Sequence, residues 1–238
     1  MLRLRSISQF YGDRQVLWNV DLELPHGSAT GIIGQPGMGK TTLANCIMGH
    51  LPIGGGSMVW QQRGARAEDL QAQPAEARAR LGISYLPQGC QLFSQLSVEE
   101  NLLIALLAGQ QAGHPVLPTL VSHLFPALWQ RRHLRSGALP LALQQQLMLA
   151  RALAPQPDLL IVDEPTAGMP SAQAEETGER LHQLNHEYGL TLLLIARHTA
   201  VIRRTANAFL LLHHGRNVAQ GHVAELDSGA VDEWLAPG

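Results

Sequence analysis

The run GQPGMGKT at residues 34–41 spaces its glycines, a lysine and a hydroxyl as G-x-x-x-x-G-K-[ST]. It lies between a strand-like stretch, GSATGIIG (27–34), and a segment of helical character from Lys40 to about Gly49. Glycine lets a backbone wrap phosphates and aim its N–H groups at them, and the start of the helix adds partial positive charge. The pattern predicts nucleotide contacts from Gly34, Gln35, Pro36, Gly37, Met38, Gly39, Lys40, Thr41 and Thr42. Lys40 is expected at the β- and γ-phosphates and the Thr41 hydroxyl at Mg²⁺. A flexible strand-to-helix turn is the plainer reading, but the flanking strand and helix favour a phosphate site. No N-K-x-D run follows, so guanine nucleotides are disfavoured.

A second group of acidic residues comes much later. In DLLIVDE (158–164), four apolar residues deliver Asp163 and Glu164 to the end of a strand. Asp163 can bind Mg²⁺ through its water shell, and Glu164 can polarise an attacking water. Alone, such a pair is usually a turn. Beside a phosphate loop it reads as catalytic.

The elements that must position these groups can be traced along the chain. Alternation in LRLRSIS (2–8) predicts an edge strand, and SMVW (57–60) and GISYLP (82–87) predict two more. Residues 61–80 read as a turn and a short surface helix. From 97 to 155 helical patterns dominate, opened by SVEENLL with a serine and a glutamate spaced as a capping box, and punctuated by Gly and Pro over 109–118. DLLIVDE and TLLLIA (191–196) are buried-strand runs, separated by a polar helix over 171–188. The simplest assembly is an α/β core interrupted by a helical insertion.

Composition narrows the function classes. The chain has 238 residues, 45% hydrophobic, with a net charge of −2 and no long basic run, which disfavours nucleic acid as a partner. That length can bury a core without staples. Cys46 and Cys90 match no metal-ligand spacing and read as free thiols in a reducing compartment. MLRLRSISQFYGDRQ has no apolar run of signal-peptide length, and no segment approaches the ~18 apolar residues of a membrane span. His182 and His186 share a helix face without a third ligand in a matching motif, so a solvated face is expected there.

With these motifs in order, the chain resembles an ABC transporter ATPase over nearly its whole length. Tyr11 sits where that family stacks an aromatic on adenine, Gln88 in YLPQG matches the Q-loop glutamine near Mg²⁺, and DEPTAG (163–168) matches the extended acidic motif. The resemblance implies a P-loop NTPase core with an antiparallel β edge and an inserted helical subdomain, in a single domain over 1–238. The core would span 1–88 and 156–238, and the subdomain 89–155. It implies ATP and Mg²⁺ as cofactors. A repair or chromosome ATPase with the same motifs would need a longer helical insertion.

LPQGCQLFSQLSVEENLL and LFPAL (124–128) look like the second ATPase subunit of branched-chain amino acid and urea importers. That likeness implies a second ATPase subunit as heterodimer partner, two membrane-spanning permease subunits and, indirectly, a periplasmic solute-binding protein. The chain would then lie at the cytoplasmic face of the inner membrane. Urea or a short amide is the first substrate expectation, and a branched-chain amino acid the second.

The pattern breaks at the signature. Aligned on QQQLMLARAL (144–153), the family's LSGGQ falls on Leu139, Pro140, Leu141, Ala142 and Leu143. The loop that caps ATP on the opposite subunit thus loses its serine and both glycines, and Leu141 should obstruct close backbone approach. Pro140 lacks an N–H but suits the first turn of a helix. The switch position falls on Arg197, with His198 adjacent, and the D-loop position on Pro170. Pro36 has no N–H to offer a phosphate. These departures predict an asymmetric heterodimer with one weakened and one largely degenerate site. The alternative is a hydrolysis-impaired structural or regulatory subunit.

Overall fold

Two sheets, one antiparallel and one mostly parallel, carry the chain. The computed structural model describes residues 1–89, 91–109, 117, 119–197, 199–228 and 234. The antiparallel sheet is built from β1 (Leu2–Tyr11), β2 (Arg14–Leu24), β4 (Gly55–Gln61) and β5 (Ala67–Asp69), in the order β2-β1-β4-β5. The other holds β3 (Ala29–Ile33), β6 (Ile83–Leu86), β7 (Leu159–Asp163), β8 (Thr191–Ala196), β9 (Ala208–His213) and β10 (Arg216–His222). Its order is β10-β9-β3-β8-β7-β6, parallel except for β10 at one edge.

Every residue of β3, β7 and β8 is buried, because the parallel sheet is covered on both faces. On one face, Ile32, Ile161 and Leu193 pack with the antiparallel sheet and helix α1 (Lys40–Met48). On the other, Val162 and Leu194 pack with helices α3 (Val98–Gly109), α5 (Pro126–Gln130), α6 (Leu141–Leu153), α7 (Ser171–His186) and α8 (Thr199–Thr205). Two shorter helices, α2 (Ala75–Arg80) and α4 (Thr119–Leu124), and three 3-10 turns at Leu70–Ala72, Ser136–Ala138 and Val223–Ser228 complete the described elements.

The capping box at the head of α3 forms: Ser97 N donates to Glu100 Oε2 at 2.7 Å and Glu100 N to Ser97 Oγ at 3.1 Å. Other expectations need correction. β1 is not an edge strand, since β2 pairs on one side and β4 on the other. Alternation reports one buried face, and an inner strand of a half-covered sheet shows the same pattern. The stretch 61–80 contains β5 as well as a helix, and that helix is not wholly superficial, because Arg78 is buried. Strands β2, β9 and β10 had no sequence-level counterpart. Of the Gly/Pro stretch 109–118, Gly109 ends α3 and residues 110–116 and 118 lie outside the described residues. Cys46 is a buried free thiol, pushed up to about 12 by burial, and Cys90 lies outside the described residues.

Arg78 ends the helix that begins at the phosphate loop. Its guanidinium donates to the carbonyls of Cys46 (2.7 Å), Ile47 (2.8 Å) and Gln73 (2.9 Å). A cation there complements the negative end of the α1 dipole, which has no basic residue in its own last turn. Gly49 follows with φ 79°, and a Cβ there would press on the guanidinium. Burial pushes the arginine's pKa down, although arginine remains charged. Arg78→Met should therefore cost about 2–4 kcal/mol by taking the donor from the Ile47 and Gln73 carbonyls, while Cys46 O keeps the Gly49 N–H at 3.2 Å. Urea denaturation measures this, and a loss below about 0.5 kcal/mol would show the cap to be dispensable.

Candidate functional site

The parallel strands bring three separate stretches of chain to one edge. Ile33 is in register with Ala196, and Asp163 with Ile195. The phosphate loop, the acidic pair and Arg197 therefore leave the sheet side by side. The α1 helix starts at Lys40 behind Gly39, whose φ of 96° suits glycine.

The loop glycines serve different ends. A Cβ on Gly34 would run into the Leu212 carbonyl, and one on Gly39 would lie 2.8 Å from Leu17 Cδ2. Gly37, at φ 81°, faces open space, and Pro36 beside it is exposed. Lys40 is buried, and its ammonium donates to the carbonyls of Gly34 (2.6 Å) and Gln35 (3.0 Å). Burial pushes its pKa down; the charges of Glu164 and Asp163 oppose this, and Arg197 adds to it. Thr42 is half-buried on the first turn.

Behind the loop lies a clamp that sequence reasoning missed. The β9–β10 turn holds Met38 twice: Gly215 N donates to its carbonyl at 3.1 Å and His214 N to its sulfur at 3.0 Å. Trp18 N, on β2, donates to Gly215 O at 2.8 Å. A Cβ on Gly215, at φ 72°, would collide with Val16 O. Only the glycine turn in HHGR (213–216) marks this contact in the sequence.

Asp163 is 2% exposed, and its Oδ2 accepts from Thr41 Oγ1 at 2.7 Å and from the Tyr85 hydroxyl at 3.3 Å. Its Oδ1 is buried with no partner among the described residues. Burial raises the Asp163 pKa, offset by hydrogen bonds from Thr41 and Tyr85 and by the Lys40 charge. Tyr85, another residue that sequence reasoning did not single out, is raised by burial and by the Asp163 charge. Thr41 and Asp163 could hold Mg²⁺: the pair supplies hard oxygens, and the orphaned Oδ1 is an acceptor inside the site.

Glu164 adopts φ 51°, rare for a non-glycine residue, held by its N–H to Ile195 O at 2.8 Å. Its carboxylate lies 4.0 Å from Arg197 Nε. Arg197 is thus brought to Glu164, while His198 lies outside the described residues. Gln88 is exposed, and it lines a cavity of about 220 Å³ together with Asp163, Glu164 and Leu141. Tyr11, half exposed, stands opposite Arg14 at the β1–β2 hairpin. From there β2 runs on to Val16 and Leu17 against the phosphate loop.

At the signature, Pro140 occupies the N-cap and not the first turn of α6. Its carbonyl accepts from Leu143 N (2.9 Å) and Gln144 N (3.0 Å), as a residue flanking the helix does. Leu141 is 64% exposed and Leu139 buried. Pro170 plays the same N-cap part for α7. His182 and His186 stack at 5.6 Å, and no cluster of three potential metal ligands occurs among the described residues.

Fold and site define a P-loop nucleoside triphosphatase: a phosphate loop after β3 and a strand-end Asp-Glu pair on β7, with β8 between them in one parallel sheet. Residues 17–167 match the family model described as ABC transporter, and the chain belongs to that family. It is an ABC-type ATPase that uses ATP with Mg²⁺. The high-affinity branched-chain amino acid transport ATP-binding protein BraG of Pseudomonas aeruginosa is 32% identical, over 92% of this chain and 91% of the relative. The Nod factor export ATP-binding protein I of Cupriavidus metallidurans is also 32% identical, over 95% of this chain but 72% of the relative. Among solved structures, the ATP-binding cassette MJ1267 of an ABC transporter shares the fold, with a TM-score of 0.84, 23% identity and coverage of 100% and 99%. An ATP-binding subunit of an ABC transporter has a TM-score of 0.80 at 26% identity, covering 98% and 97%. No helix among the described residues is long and apolar enough to cross a membrane.

The clamp can be tested at Gly215. Gly215→Ala should cost about 2–4 kcal/mol and weaken nucleotide binding about 10-fold, through strain at positive φ plus collision with β2. Gly64 has the same φ of 72° with nothing nearby, so Gly64→Ala should cost about 1 kcal/mol and leave binding unchanged. Thermal melts and a fluorescent-ATP titration compare the two. Equal losses would show that the clamp contributes nothing.

Proposed function

We propose that this chain is the ATP-binding subunit of an importer for a small solute. It would lie at the cytoplasmic face of the inner membrane, held there by two permease subunits and served by a periplasmic binding protein. The relatives favour branched-chain amino acids over urea or a short amide. Import is favoured over export because the importer relative is covered over 91% of its length, against 72% for the exporter. Residues 1–88 and 156–238 form the nucleotide-binding core in this reading, and 89–155 the helical arm.

The observation that carries the catalytic assignment is the Thr41–Asp163 hydrogen bond, with the Lys40 ammonium close enough to feel the charges of both Asp163 and Glu164. In this reading Tyr11 stacks on adenine, and the loop N–H groups of 34–42 and Lys40 bind the phosphates. Thr41 and Asp163, with Gln88 nearby, would hold Mg²⁺, which when bound offsets phosphate charge. Glu164, fixed by its N–H to Ile195 O, orients a water and takes up its proton. The water oxygen bonds to the γ-phosphorus as the bond to the bridging oxygen breaks, leaving ADP and phosphate. Arg197 brings a permanent positive charge to the switch position beside Glu164.

A second ATPase subunit completes the assembly, because Leu141 stands exposed where the family's signature glycines approach the partner's nucleotide. The site on this chain's Lys40 and Glu164 would borrow the partner's signature. The site on the partner's phosphate loop would face this chain's LPLAL and fail. A scaffold role, the alternative, is favoured by the same Leu141 and by Arg197.

Purified alone, the chain should turn over ATP very slowly, and the full complex should turn it over at least 10-fold faster. Brisk hydrolysis by the chain alone would sink the asymmetry. In the reconstituted complex, Glu164→Gln should lower transport by 10²-fold or more, roughly the contribution of a general base. Unchanged transport would instead assign the chain a scaffold role.

A further inference from the structure

We propose that Tyr85 is a positioning residue for the Mg²⁺ site, its hydroxyl fixing the Asp163 carboxylate so that Oδ1 is the oxygen left for the metal's water shell. The inference rests on the reading above, in which Thr41 and Asp163 hold Mg²⁺.

The sheet dictates the contact. β6 runs parallel to β7 with Tyr85 opposite Ile161, and Asp163 lies two residues further on, on the same face. The Tyr85 ring packs against the core cluster under α1, with the His50 ring tilted 6.3 Å away. From that seat its hydroxyl reaches Asp163 Oδ2 at 3.3 Å, while Thr41, from α1, reaches the same oxygen at 2.7 Å. Two donors on one oxygen pin the carboxylate plane, and a carboxylate held at one oxygen keeps its other lone pairs available. The remaining oxygen, Oδ1, is buried and has no partner among the described residues. With Thr41 alone, the carboxylate could pivot about a single bond. Groups that orient metal ligands in this way commonly shift metal affinity by 10-fold or more when removed.

A plainer account is that a half-buried phenol has found an acceptor for its own hydroxyl. That account predicts no link between Tyr85 and the metal. The full-length chain and its variants Tyr85→Phe and Tyr85→Leu can be titrated with a fluorescent ATP analogue, first in EDTA and then at rising Mg²⁺. In Tyr85→Phe, affinity in EDTA should stay within 2-fold of the parent, while the Mg²⁺ concentration giving half-maximal binding rises about 10-fold. An unchanged Mg²⁺ midpoint, or an equal loss with and without Mg²⁺, would overturn the proposal. So would a loss seen in Tyr85→Leu but not in Tyr85→Phe, which would assign the effect to ring packing. If Mg²⁺ leaves the parent chain's own affinity unaltered, the reading of Thr41 and Asp163 fails first, and the role of Tyr85 with it.

Discussion

The hydrogen bond from Thr41 to Asp163 joins two residues 122 positions apart in sequence. It can form only because β3, β8 and β7 lie next to one another in parallel, with Ile33, Ala196 and Asp163 ending nearly level. A slip of one residue in β7 would turn Asp163 away from α1 and bring Val162 round in its place. The same register places Glu164 and Arg197 beside each other. Most of the chemistry therefore depends on the pairing of three buried strands. Both of their faces are buried and mostly apolar, so a slip would also misplace the core contacts of Ile161 and Val162.

The phosphate loop is held from behind as well as from below. Met38 is bonded to the β9–β10 turn, and that turn to β2. The antiparallel sheet, which bears Tyr11 at its tip, is thereby fixed relative to the loop. At the far end of α1, the Arg78 guanidinium caps the helix that begins at the phosphate loop. The helix is thus anchored at both ends, and the loop's glycines can keep their positive φ values without the loop collapsing.

The α6 helix packs into the core although residues 139–143 carry none of the signature glycines. Leu147, Ala150 and Leu153 are buried, and Arg151 donates to Gln91 O while lying over the Phe93 ring. Ser136, just ahead of the helix, bonds to Phe93 O and to the buried Asn101. These contacts tie α6 to the segment that follows Gln88 and owe nothing to residues 139–143. Pro140 starts the helix cleanly from the N-cap, so the fold tolerates the missing glycines.

By itself the sequence determined the local pieces: the phosphate loop, the acidic strand end, the capping box of α3 and the buried strands β3, β7 and β8. Each is written in short-range spacing, the kind of information a single stretch of chain can hold. Strands β2, β9 and β10, the inner place of β1 and the burial of Arg78 were not legible, because they depend on which surfaces meet. Arg78 reads as an exposed charge until α1 presents carbonyls to it. Tyr85 looks ordinary until β6 sits beside β7, and Met38 reads only as a position of the phosphate loop until the β9–β10 turn closes on it. Which residues could bind a phosphate was thus set by sequence, through backbone conformation and charge. Which residues support them was decided only by tertiary structure, because a hydrogen bond between distant strands exists only once the sheet has fixed their register.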